Sequence, residues 1–164
     1  VGGGKVVTGA NAIAGEWGHN PLPAPRLEDG YDERPGPPCY CGRSGCIETF
    51  LSGPGLAADY ARSGGGLLDA GDIAARASAG EPRAAACLDR YVDRMARALA
   101  GVINVVDPDV IVLGGGLSNI DRLYESVPAC WSRHILSDRV VTRLVRAKHG
   151  DSSGVRGAAW LWDG

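Results

Sequence analysis

Cys39-Tyr40-Cys41-Gly42-Arg43-Ser44-Gly45-Cys46 holds three of the five cysteines of this chain, and the reading of this segment decides how its surroundings can fold. A disulfide between Cys39 and Cys41 would be badly strained, and an odd number of thiols leaves one over. Cysteines this close together among Gly and Arg do not read as core positions either. A metal explains the grouping. Zn²⁺ takes four tetrahedral nitrogen or sulfur ligands, and three cysteines with one histidine is a common structural set. Gly42 and Gly45 allow the sharp turns that bring the thiolates to one point. His19 is the expected fourth ligand. The intervening Pro21 to Pro38 is rich in proline and charge, with nothing apolar enough to order it. Metal binding would supply the free energy that such a loop lacks. A zinc-binding loop over 15–50 is therefore predicted.

Upstream, Glu16 and His19 stand three residues apart around Trp17, which places both side chains on one face of a helical turn. A carboxylate and an imidazole beside a metal suit recognition of hydroxyl groups. The alternative is a solvated glutamate next to a purely structural ligand. Downstream, Ile47, Phe50 and Leu51 recur at helical spacing, with Glu48 on another face. Ser52-Gly53-Pro54-Gly55 is predicted to break that helix, which resumes from Leu56 to Ala61. Asp72 is expected to cap a short helix, Ile73 to Ala79, stopped by Gly80. The longest helix opens at Pro82 and runs to about Val105. Leu88, Tyr91, Met95, Leu99, Val102 and Ile103 form its apolar stripe, with Cys87 in the core beside them.

Past Asp107-Pro108-Asp109 comes the apolar run Val110-Ile111-Val112-Leu113, which fits a strand buried on both faces of an α/β sheet. Gly114-Gly115-Gly116 follows, then Ser118 as expected N-cap of a helix carrying Ile120, Leu123, Tyr124 and Val127. Strand, glycine turn and helix together offer backbone amides to a phosphate or nucleotide. The G-x-G-x-x-G dinucleotide spacing is absent. Val140 to Val145 is a second strand candidate. Gly150 to Gly154 could suggest a protease nucleophile loop, but nothing supports a triad. Ser152 or Ser153 caps a closing helix whose Val155, Ala158, Ala159 and Trp160 are expected to pack inward. At the other end, Gly2-Gly3-Gly4 leads into a predicted strand, Lys5-Val6-Val7. This is not a P-loop: no Ser or Thr follows the lysine, and a strand stands where that motif needs a helix. The glycine turn could still touch phosphate through its amides.

Composition narrows the classes further. Seventeen Lys and Arg face nineteen Asp and Glu in 164 residues, which leaves no footprint for nucleic acid or an anionic membrane surface. No run is long enough to span a bilayer. No apolar signal segment opens the chain, so an oxidising compartment has no support and a cytoplasmic protein is expected. The opening on Val1, inside a glycine run, reads as part of something longer.

Gly15-Glu16-Trp17-Gly18-His19-Asn20-Pro21-Leu22-Pro23, then Cys39-x-Cys41-Gly42-x-x-Gly45-Cys46-x-Glu48 and Ser52-Gly53, resemble the ROK family of sugar kinases. Asp107 to Gly116 and Lys148 to Ala159 extend the likeness toward the C-terminus. Within the family the motifs look most like bacterial fructokinases, also called manno-fructokinases. The resemblance implies an actin-like, ribonuclease-H-like α/β lobe with an inserted zinc loop, binding ATP with Mg²⁺ and a hexose. His19, Cys39, Cys41 and Cys46 would hold structural zinc, while Glu16, His19 and Glu48 would reach sugar hydroxyls. Gly114, Gly115 and Gly116 would lie against the adenosine, and Gly2, Gly3 and Gly4 would end a phosphate-contacting segment. A zinc-bound imidazole can serve both purposes, because one ring nitrogen on metal fixes the other. The implied reaction is phosphorylation of fructose to fructose 6-phosphate, by a homodimer with no membrane partner. The family's D-x-G-G-T loop and the aspartate that acts as general base are not in this sequence, so the piece alone is expected to be inactive. The family also includes sugar-responsive transcriptional regulators with a DNA-binding segment, which is the alternative reading and the one that would bring in nucleic acid.

Overall fold

The computed structural model of the chain describes residues 7–28 and 31–159. Gly2 to Gly4, the strand expected from Lys5, and Trp160 lie outside the described residues. A 3₁₀ turn spans Trp17–His19, and a minimal antiparallel ribbon pairs β1 (Leu27–Glu28) with β2 (Tyr31–Asp32). Four helices follow: α1 (Ile47–Leu51), α2 (Gly53–Arg62), α3 (Ala70–Ser78) and α4 (Pro82–Val106). Then come β3 (Val110–Leu113), α5 (Arg122–Trp131), β4 (Arg143–Arg146) and α6 (Ser153–Ala159). β3 and β4 pair in parallel, with Ile111 opposite Leu144 and Val112 opposite Val145, and α5 makes the crossover.

The longest helix organises the core. Pro82 sits in its first turn, where a missing N–H costs nothing. Cys87, Leu88, Tyr91, Met95, Leu99 and Ile103 recur at intervals of three and four residues and are buried. Against that stripe pack Leu56 and Tyr60 of α2, Ile73 of α3, and Leu123, Val127 and Trp131 of α5. Asp107 ends the helix in the left-handed region, at φ 46°. Burying each large apolar side chain contributes about 1.5–3 kcal/mol, so the interlocked helices form the stable body.

Several local expectations are revised. The break after α1 is one residue, not four. Ser52 closes α1 and its Oγ accepts the Gly55 amide at 3.1 Å, so α2 starts at Gly53 with Pro54 in the first turn. The cap of α3 is Asp69 rather than Asp72, whose own amide donates to the Asp69 side chain at 2.8 Å. Ser118 does not cap α5. Its hydroxyl turns back to the Gly115 carbonyl at 2.7 Å and tightens Gly116–Asn119 into a 3₁₀ turn, which moves the helix start to Asp121 and Arg122. β3 is covered on one face only. Ile111 and Leu113 lean on the core, whereas Val112 is 55% exposed, because among the described residues the sheet has one layer against it. The strand foreseen over Val140 to Val145 is Arg143–Arg146. Val155, Ala158 and Ala159 of α6 face outward.

The proline-rich loop is also not without an anchor. Leu22 packs with Ile47, Phe50 and Ala98 in a small apolar cluster. The buried Glu33 carboxylate receives Arg94 Nε at 2.7 Å and two bonds from Arg97 Nη2, each 2.9 Å. Arg97 Nη1 donates to the carbonyls of Pro23 and Ala24 at 2.6 and 2.9 Å. Arg94 reaches on to the buried Asp59 of α2 at 3.2 Å, and its guanidinium lies over the Phe50 ring at 5.1 Å. Burial raises the Glu33 carboxyl, but Arg94, the Arg26 amide and the Arg97 charge outweigh it and hold the group below the ordinary glutamate value.

Candidate functional site

The loop closes on itself through short backbone contacts. Cys39 N–H donates to Arg43 at 2.8 Å, and Gly42 N–H donates to Cys39 at 3.0 Å. Gly42 has φ +84° and Gly45 φ +73°, conformations that L side chains rarely adopt. At Gly45 a Cβ would also meet the Pro35 carbonyl oxygen at 2.6 Å. Leu22 N–H donates to the Gly45 carbonyl and Ile47 N–H to the Asn20 carbonyl, each at 2.9 Å. These two bonds staple the strand after His19 onto the strand that carries Cys46.

The result brings His19, Cys39, Cys41 and Cys46 together, with one ligand atom of each within 4.8 Å of the others. A tetrahedral centre with Zn–S bonds of about 2.3 Å separates its ligand atoms by about 3.8 Å. Cys41 and Cys46 stand 3.6 Å apart at Sγ, and Cys39 Sγ lies 3.5 Å from His19 Nδ1. The set therefore has the size and chemistry of a three-cysteine, one-histidine metal site. Cys41 is drawn down to about 6, chiefly by hydrogen bonds from the Arg43 side chain and backbone. That thiolate is the metal-binding form. Cys39 accepts the Cys41 amide, yet desolvation and its bonds to Glu48, Cys41 and Cys46 push it up to about 12.

The three residues read as hydroxyl-binding meet at the His19 imidazole, with Glu48 beside Nδ1 and Glu16 beside Nε2. His19 presents Nδ1 to the sulfurs and to Glu48 Oε1, 3.6 Å away, and presents Nε2 outward. Glu16 Oε2 approaches Nε2 at 4.0 Å. Glu48, in the first turn of α1, accepts from the Cys39 thiol at 3.1 Å. Tyr40 was not singled out from the sequence. Its hydroxyl lies 2.8 Å from His19 Nε2, and its ring meets the imidazole edge-on with centroids 5.0 Å apart. The only hint was position: a residue between two ligands of one centre points away from the metal.

α1 connects this cluster to a second feature. The helix rises about 7.5 Å over five residues, and the Gly53-Pro54 pair beyond it lines a groove of about 870 Å³. Gly114, Gly115 and Gly116 form part of the facing wall, with Ala70 and Ala74 of α3 beside them. Small residues on both walls leave room for a flat ligand. The helix end expected there is the 3₁₀ turn at Gly116, so the amides available are those of the turn.

The described residues thus combine a Cys/His cluster, a helical body and a parallel β3–α5–β4 unit. A family model described as the ROK family matches residues 1–164, and the chain belongs to that family. It is 41% identical over 158 residues to an N-acetyl-D-glucosamine kinase of Yersinia pseudotuberculosis, covering 96% of this chain and 52% of that protein. The chain spans about half the length of the curated relatives it matches. The crystal structure of a ROK hexokinase from Thermus thermophilus superposes with a TM-score of 0.77 and 28% identity, covering 96% of this chain and 50% of that one. A ROK family transcriptional regulator matches with a TM-score of 0.58 and 28% identity over 68% of this chain and 31% of its own. The motifs had pointed to fructokinases, whereas relatives at 41% identity carry the N-acetyl-D-glucosamine kinase name. No helix among the described residues is long and apolar enough to cross a membrane.

Proposed function

We propose that this chain is the sugar- and nucleotide-binding lobe of an ATP-dependent hexose kinase, with N-acetyl-D-glucosamine as the first substrate to test and glucose next. The carrying observation is that Glu16 and Glu48 both approach the imidazole of His19, a member of the Cys/His cluster. The groove at Gly114 to Gly116, one short helix away, suits the adenosine of ATP, which arrives with Mg²⁺. His19, Cys39, Cys41 and Cys46 would hold zinc, whose contribution is structural: it fixes the loop and the imidazole. As a metal-bound thiolate Cys39 would no longer donate to Glu48, whose carboxylate would then be able to accept from a sugar hydroxyl. Similarity over 96% of the chain to kinases, against 68% for the regulator, supports the kinase reading over the regulatory one. Fructose, favoured by the motifs alone, has less support than the N-acetylated sugar.

The test uses the protein as its gene encodes it. Glu16→Ala is expected to weaken N-acetyl-D-glucosamine binding by about 1.5–3 kcal/mol, the worth of a hydrogen bond to a charged group, with zinc content unchanged at one ion per chain. Unaltered affinity would return Glu16 to the solvated surface. A zinc stoichiometry near zero would remove the metal from the reading.

A further inference from the structure

A fourth sugar-site residue emerges from the contacts of His19, on the reading that this cluster binds a sugar. With Nδ1 turned to the sulfurs, the imidazole has one nitrogen left for a ligand, Nε2. When Nδ1 carries the metal, Nε2 carries the proton and is a donor with a single direction. That direction is already taken. Tyr40 Oη lies 2.8 Å from Nε2, and among the described residues the next group there is Glu16, 4.0 Å away. One N–H directs one strong hydrogen bond, so a sugar hydroxyl and the Tyr40 hydroxyl cannot both receive it.

Tyr40 is also free to leave. Its side chain is 85% exposed, and its ring touches the protein through the edge-on contact with the imidazole. The backbone beneath it is fixed, because Cys39 and Cys41 on either side turn their sulfurs into the cluster. The exposed ring can therefore turn without moving the backbone that carries it. We propose that Tyr40 is a built-in competitor for the sugar: its hydroxyl occupies the His19 Nε2 site until a sugar hydroxyl displaces it. Tyr40 therefore sets the affinity of the site and narrows its choice, since a sugar without a hydroxyl at that position cannot perform the exchange.

The experiment measures glucose and its monodeoxy analogues by calorimetry on the zinc-loaded protein as its gene encodes it, for the wild type, Tyr40→Phe and Glu48→Gln. Tyr40→Phe keeps the exposed ring and removes the competing oxygen. Glucose is expected to bind about 2- to 12-fold more tightly to this variant, the span of one neutral hydrogen bond. The gain should disappear for the one deoxyglucose lacking the hydroxyl that His19 receives. Unchanged or weaker binding by Tyr40→Phe, with Glu48→Gln weakened, overturns the competition while leaving the sugar site intact. A gain that persists across every deoxy analogue overturns it too, since the exchange would then not be at His19. Failure of Glu48→Gln to weaken binding, or no binding of either glucose or N-acetyl-D-glucosamine by the wild type, overturns the underlying sugar-site reading, and this inference with it.

Discussion

Two attachments hold the same loop, and they differ in nearly every respect. At one end His19, Cys39, Cys41 and Cys46 converge within 4.8 Å, three of them from one short segment. At the other, Glu33 is locked between Arg94 and Arg97, sixty-one and sixty-four residues away along the chain. The first attachment, as proposed, would depend on a metal and on its ligands being thiolates. The second needs no added ligand, with all three charges inside the fold and each carboxylate oxygen accepting two hydrogen bonds. The contrast shows how a loop with little apolar content is fixed. On the proposed reading a metal would order its tip, while a buried ion-pair network seats its base on the longest helix.

Breaking the metal end has the largest expected effect. Structural zinc contributes about 10–16 kcal/mol in isolated zinc-finger peptides, an upper bound for a loop that has a second anchor. Cys41→Ser should abolish zinc binding and raise amide hydrogen exchange across residues 39–48, while the amides of Arg26 and Glu33 stay protected by the Glu33 anchor. Release of the whole 15–50 region in that variant would show that the two attachments are one unit.

Breaking the other end is expected to cost less and to act on the opposite half. Glu33→Ala strands two buried guanidinium groups, a change worth about 3–5 kcal/mol, read as a shift in the denaturant midpoint with zinc content preserved. The sign of the pH dependence follows from the lowered carboxyl. The ordinary glutamate value is 4.5 and the folded value lies below it, so the stabilisation is complete above that value. It is lost as pH falls through the lower folded value. The difference in stability between wild type and Glu33→Ala should therefore shrink on acidification below about pH 4.5 and remain constant from there to neutrality. A difference independent of pH would mean that the carboxylate charge is not what seats the loop.

The smallest effect lies away from both anchors and serves as the reference. Asp69→Ala should cost about 0.5–2 kcal/mol through the lost cap of α3, and Asp72→Ala should cost less. Neither should change exchange in the loop. Equal costs for the two variants would restore Asp72 as the cap.

The sequence by itself determined what is written locally or repeats at a fixed period. The metal cluster was legible because Cys39, Cys41 and Cys46 are neighbours whose chemistry has few other uses. The long helix was legible because Leu88, Tyr91, Met95, Leu99 and Ile103 repeat at its own period. Tertiary structure alone decided the rest. Arg94 and Arg97 look like the solvated face of a helix until Glu33 folds onto them, and no spacing rule joins positions so far apart. Ser118 and Asp72 have the right chemistry for caps, but the choice between neighbouring candidates depends on where the backbone turns. Tyr40 acquired its place only when His19, on another segment, was fixed beside it. The physical reason is common to all three: burial and hydrogen bonding act between whatever the fold brings into contact, and the order of residues along the chain specifies only part of that.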